Sequence, residues 1–302
     1  MPDFGVGPAP VPGRPDELAP GLVRLTAPNP GLMTRPGTNT YVIGTGALAV
    51  VDPGPDDPGH RAAVLAVAAP RGELRWVLVT HTHPDHAPGA RALADAVGAE
   101  VIGFGPGEQF DPDRAVRHGW TLAVPGPTPL TLRAVHTPGH ASDHLCWCVP
   151  EHATLLTGDH VMHGSTVVIR PPDGDLGQYL ESLAAVRDAA PPLRTLAPGH
   201  GRLMERVPEA IDALIAHRRG RHRRIAGALE DAGTATVDEL LPVVYSDVTE
   251  RQLPVARFSL WAHLRQLAAE GRARPSVPRG DDTLETVWGW VPSGVRGVDG
   301  GA

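Results

Sequence analysis

WVLVTHTHPDHAPGA, residues 76–90, decides how this chain is built. Its first five residues form an apolar run of strand length, the pattern of a strand buried on both faces. The run stops at HTHPDH, which places His81, His83, Asp85 and His86 in one short loop. A buried strand is a rigid platform, and the loop beyond its end can turn several side chains inward. Imidazole and carboxylate are borderline-to-hard donors suited to zinc, and also to manganese or iron. At this spacing His81 and His83 reach one ion together, while Asp85 and His86 project past them toward a second.

Four donors in one loop rarely complete a two-metal site, so the remainder is expected at later strand ends. His140 closes HTPGH (136–140), Asp159 lies in LTGDH (156–160) and His200 lies in LAPGHG (196–201). Each follows an apolar run and has glycine beside it, and glycine lets backbone approach a compact site closely. The order is HxHxDH, then H, then D, then H.

Further outward, TYVIG (40–44) and ALAVVDPG (47–54) read as a hairpin turning at Gly44 and Gly46. Residues 59–69 and 87–97 are alanine-rich and helical, and VIGF (101–104) is a strand. TLAV, LTLRAVHT, HLCWCV and ATLLTG follow as four strands. A helix over 176–189 leads into the strand RTLAPG. Strands mixed with helices argue an α/β sandwich with helices outside the sheets. After Pro208 the pattern changes to a long helix ending near Gly233, a second over ATVDELLPVVYS and a third stopped by Gly271. The strand TLETVWGWVP follows. Three helices and a β-hairpin make a winged helix. The expected division is a catalytic domain over 1–207 and a winged-helix domain over 208–302.

With the strand-end donors in place, the chain resembles the metallo-β-lactamase-fold hydrolases, and all seven positions match. The resemblance implies an αββα sandwich and two divalent metal ions, expected to be zinc. It puts His81, His83 and His140 on one metal and Asp85, His86 and His200 on the other, with Asp159 bridging. NPGLMTRPGTNTYVIG (29–44), TPGHASDH (137–144) and the trailing winged helix are similar to the lactamase-beta-like protein 2 group. Two positions depart from that group: the turn after His86 reads APGA, and His222 follows Arg221 where an acid is usual.

Two cations sharing a water lower its pKa toward neutrality, and the resulting bridging hydroxide attacks a carbonyl or phosphoryl centre. Asp85 is the expected catalytic residue, orienting that nucleophile and carrying its proton. The substrate favoured here is a small ester or thioester, because a net charge of −7 offers a polyanion no electrostatic funnel. Single-stranded RNA is the alternative, served by the five arginines of HRRGRHRRI (217–225), although a solvated helix face is the plainer reading of that run. Lactones and β-lactams rank lower. So does a DNA-binding regulator, for which the third helix offers a thin set: Arg257, His263, Arg265 and Gln266. His144 and Asn39 are the candidate substrate contacts, and Tyr179 and Tyr245 are further hydroxyls able to donate to an oxyanion.

Composition bounds the rest. The 302 residues include 15 histidines against four phenylalanines, and every one of the 27 basic residues is arginine. No run approaches the ~18 apolar residues of a membrane span, and no signal-peptide stretch is visible. Cys146 and Cys148 sit one residue apart on a strand, where a disulfide would be strained. They are expected to be small buried hydrophobes in a reducing, cytoplasmic location.

Overall fold

The computed structural model of the chain describes residues 2–278 and 280–292. Residues 293–302 of the expected second domain lie outside them. The elements run β1 (Gly5–Val6), β2 (Pro15–Ala19), β3 (Leu22–Thr26), β4 (Asn39–Ile43), β5 (Gly46–Val51), α1 (Pro58–Ala68), β6 (Gly72–Leu78), α2 (Gly89–Val97) and β7 (Glu100–Gly103). Then come β8 (Arg114–Ala115), β9 (Thr121–Val124), β10 (Leu130–His136), β11 (Leu145–Val149), β12 (Thr154–Gly158), α3 (Leu176–Arg187), β13 (Thr195–Pro198) and β14 (Leu203–Met204).

Two seven-stranded sheets form the sandwich, in the orders β2-β3-β4-β5-β6-β7-β8 and β1-β14-β13-β12-β11-β10-β9. Strands β3 and β4 are buried at every residue, and their polar members Arg24, Thr26, Asn39 and Thr40 are all hydrogen-bonded there. Along β4, Tyr41 and Ile43 turn toward the second sheet, meeting Leu132, Trp147 and Leu156. Val42 turns the other way with Val64 of α1 and Leu93 of α2. The period-two alternation thus serves two cores at once. The β4–β5 hairpin forms as expected, with Gly44 and Gly46 both at positive φ.

The N-terminal strands β1, β2 and β3 were not anticipated from sequence. PDELA, the edge strand β2, has neither alternation nor β-branched residues, and β3 supplies the pairing that holds it extended. Ala235, expected at the start of the second helix, instead forms a short strand with Thr234. Thr236 then caps that helix through a capping box with Glu239.

The chain divides into two compact units. One takes the chain up to Val167 together with Gln178–Leu214; the other takes Val168–Gly177 and the chain from Ile215. This differs from the expected 207/208 boundary. Helix α4 (Val207–Ala232) begins in the sandwich unit, where Ala210, Ala213 and Leu214 line a pocket with Phe4, Met162 and Met204. The segment Val168–Gly177 belongs to the second unit because it packs on that unit's residues: Arg170 lies over the Phe258 ring at 4.6 Å. Within the second unit α4 continues into β15 (Thr234–Ala235), α5 (Val237–Val244), α6 (Leu253–Ala269), β16 (Ala273–Pro275) and β17 (Trp288–Trp290). The three strands make one small sheet, β15-β17-β16, over a core containing Ile225, Leu241, Leu260 and Trp288.

Candidate metal centre

Each candidate donor follows the end of a central strand. His81, His83, Asp85 and His86 follow β6, His140 follows β10, Asp159 follows β12 and His200 follows β13. The structure brings all seven together. His81, His83 and His140 form one group able to hold an ion, and Asp85, His86 and His200 form another. His83 Nδ1 is 2.8 Å from His81 Nε2 and 3.0 Å from His140 Nε2. In the second group Asp85 Oδ2 is 3.1 Å from His200 Nε2 and 3.5 Å from His86 Nε2. Asp159 stands between the groups. Its Oδ1 is 3.3 Å from His200 Nε2 and 3.5 Å from His86 Nε2, and its Oδ2 is 3.7 Å from His140 Nε2.

The imidazoles are held from behind. His86 Nδ1 lies 2.8 Å from Asp52 Oδ2, and Asp52 also accepts the Thr80 amide and hydroxyl at 2.7 and 2.8 Å. His200 Nδ1 donates to the Gly37 carbonyl at 3.1 Å. His81 Nδ1 is 3.0 Å from the Thr80 hydroxyl. Such outer partners fix the ring orientation and aim the far nitrogen at the site. Asp52 falls within ALAVVDPG (47–54), where the sequence reading gives it no role of its own. It is a positioning residue, and its one sequence signal is its place at the end of β5, the parallel neighbour of β6. Backbone closeness also matters. A Cβ at residue 199 would meet His86 Cε1 at 2.7 Å and Asp159 Oδ1 at 3.0 Å.

The donor set fits a cation. His86 Nε2, His200 Nε2 and Asp159 Oδ1 are buried polar atoms with no hydrogen-bond partner, a costly state unless something binds them. Burial, followed by the neighbouring imidazoles, pushes His81 well below the usual histidine range. Burial would lower His86 too, but the carboxylates of Asp85, Asp52 and Asp159 outweigh it and hold that ring well above its ordinary value. Asp85, raised by burial but held down by His86 and His200, titrates at about 2. His83 and Asp85 are half-buried while the other five donors are buried, so the site opens on that side.

Several expected contacts sit elsewhere. Asn39 is completely buried: its amide donates to the carbonyls of Pro198 and Gly201 at 2.9 and 3.0 Å, and its oxygen accepts the Thr26 hydroxyl. It braces the His200 loop and has no polar atom left for substrate. His144 is also fully buried, with Nδ1 2.9 Å from the Thr137 hydroxyl and its ring 5.0 Å from that of His81. The Tyr179 hydroxyl donates to the His160 carbonyl from a buried position. Tyr245 is buried in the second unit beneath Arg221. Both cysteines are free and buried, and burial pushes the Cys146 thiol up to about 12.

The basic run of α4 is not a solvated face throughout. Arg218 and Arg221 are buried, and Arg221 makes a two-pronged bond to Asp247 at 2.8 Å on each arm. The α6 side chains are similarly committed: Arg257 to Asp238, Arg265 to Asp282, His263 to His222 and Gln266 to Glu270.

Residues 33–200, which contain all seven donors, match the metallo-beta-lactamase superfamily, and residues 236–277 match the beta-lactamase-associated winged helix domain. The chain belongs to the metallo-beta-lactamase superfamily and is a hydrolase of that class. It is 32% identical over 261 residues to an atrochrysone carboxyl ACP thioesterase of Aspergillus fumigatus, covering 78% of each chain. It is 29% identical over 277 residues to a beta-lactamase-like protein 2 homolog of Drosophila melanogaster, covering 86% of this chain and 91% of the relative. Among solved structures, a beta-lactamase domain protein from Burkholderia ambifaria superposes with a TM-score of 0.78 at 22% identity, over 93% of this chain and 95% of that one. No helix among the described residues is long and apolar enough to cross a membrane.

Proposed function

We propose that the chain is a two-metal hydrolase of small esters or thioesters with zinc as its working ion. The observation that carries this reading is Asp159, with one oxygen facing His86 and His200 and the other facing His140. Two three-residue groups thereby share one carboxylate. His81, His83 and His140 would hold one cation and Asp85, His86 and His200 the other. When bound, the cations supply Lewis acidity and a water acidic enough to ionise near neutral pH.

The chain's own residues do the rest. Asp52 and the Gly37 carbonyl orient His86 and His200. The buried donors close the back of the site to water. Asp85 is the half-exposed carboxylate of the set and stays ionised at neutral pH, so it can accept a proton on the open side. Leu32 and Met33 are exposed at 53% and 38% on the loop whose Gly37 contacts His200, a surface suited to an apolar acyl group. The similarity to a thioesterase favours the thioester.

The test is metal content together with a panel of thioesters, esters, lactones, phosphodiesters and single-stranded RNA. Two metals per chain are expected, with thioester turnover falling ~10²–10⁴-fold in Asp85→Ala and disappearing in His140→Ala. Fewer than one metal per chain under replete conditions, with every substrate inert, overturns the reading. RNA cleavage lost in both variants, without thioester turnover, replaces the substrate.

A further inference from the structure

We propose that the outer face of the second sheet carries a binding site for an amphipathic carboxylate of the fatty-acid class, separate from the metal centre. A cavity of about 790 Å³ lies there, walled by β10, β11, the turn after β11, the end of α3 and the chain entering β13. Small-molecule pockets run from ~300 to 1,000 Å³. No metal-ligand candidate lines it, and the inference does not rest on the hydrolase reading.

Strand register builds the floor. Arg133 pairs with Cys148 and Cys148 with Leu155, so one row of side chains crosses three strands. Their neighbours Leu132, Trp147 and Leu156 turn into the core, which sends this row outward. Val135, Val186 and Leu193 extend the apolar surface.

Charge selects the occupant. Arg133 and Arg194 line the cavity, and neither forms an ion pair among the described residues. The Arg133 Nε is buried without a hydrogen-bond partner. Glu151 is the one carboxylate in the lining, and its Oε2 already accepts the Thr131 amide at 3.1 Å. Two guanidinium groups against one carboxylate leave a single positive charge beside an apolar floor. A monoanionic carboxylate with a hydrocarbon body completes both, since guanidinium and carboxylate match in geometry. A neutral lipid would leave the guanidinium groups unmatched. A second copy of this chain docked about a two-fold axis would set arginines against arginines.

Decanoate is the probe, titrated calorimetrically into the metal-loaded full chain, with 1-decanol as the neutral control. The expected result is saturable one-to-one binding that weakens at least about tenfold in Arg133→Gln. It is lost when Leu155→Trp fills the cavity and is retained in His83→Ala. In the unaltered chain decanoate is expected to slow methylthiolation of Cys148, which keeps the test open should Leu155→Trp fail to fold. The proposal is overturned by an absence of saturable binding or by decanol binding equally well. It is also overturned by decanoate binding that survives Arg133→Gln yet disappears in His83→Ala, which would place the acid at the metal centre. A dimer broken by Arg133→Gln, with no decanoate uptake, would give the face to a second copy instead.

Discussion

At the scale of single residues, Asp52 shows how a site depends on groups that never touch a ligand. It is 1% exposed, sits at φ 51°, and holds His86 and Thr80 together through one carboxylate. Asp52→Ala is expected to weaken metal retention ~10–100-fold, read as metal per chain after dialysis against graded chelator, with the outer-partner role as its cause. Gly199 makes the complementary point about space. In Gly199→Ala the new methyl would stand 2.7 Å from His86 Cε1, so both metal content and turnover should collapse, whereas Gly105→Ala, with open space around it and no positive φ, should leave them unchanged. The seven donors were legible in sequence because histidine and aspartate clustered after apolar strands have few other uses. Asp52 was not legible, because its partner lies 34 positions away and an aspartate before proline and glycine is also an ordinary turn. Asn39 misled for the opposite reason: an amide beside a glycine-rich loop looks available until its three hydrogen bonds are known.

At the scale of elements, α1 is anchored to the first sheet by a histidine that must stay neutral. The His60 ring is buried and 2.8 Å from the Thr40 hydroxyl of β4, and burial, partly offset by Asp57, lowers it from 6.5 to about 4. The unfolded chain therefore binds a proton that the folded chain refuses. The contribution is fully present above pH 6.5 and is lost progressively as pH falls toward 4, amounting to about 3 kcal/mol. His60→Gln should flatten that part of the pH dependence of stability in urea unfolding, and an unchanged slope would remove His60 as its cause. Elements with strong periodicity or flanking glycines (β4, β5, β9 to β12 and the three helices after residue 206) could be read from sequence. The edge strands β1, β2 and β8 and the two-residue strand β14 could not, since their extended form is imposed by a neighbour and not by their own residues. The arginines of α4 were misjudged for a related reason. Helical spacing places Arg218 and Arg221 on one face, but only the packed unit shows that this face points inward.

At the scale of the molecule, each unit has its own core, and every metal-ligand candidate lies in the sandwich unit. Removing bound metal should therefore destabilise the sandwich selectively. A site held at about 100 times its dissociation constant contributes about 2.7 kcal/mol. Scanning calorimetry with chelator is expected to lower one transition by several degrees and leave the winged-helix transition in place. A uniform shift of the whole profile would show the two units unfolding together. The donors also come from four places in the chain, and the brace between Asn39 and the His200 loop spans 162 positions. No local segment can assemble this site early. Cation capture thus belongs to the last stage of folding, after both sheets have closed the long loops between them. An ion that meets the chain before the strands register finds the HTHPDH donors alone, without the three later residues that complete the cage.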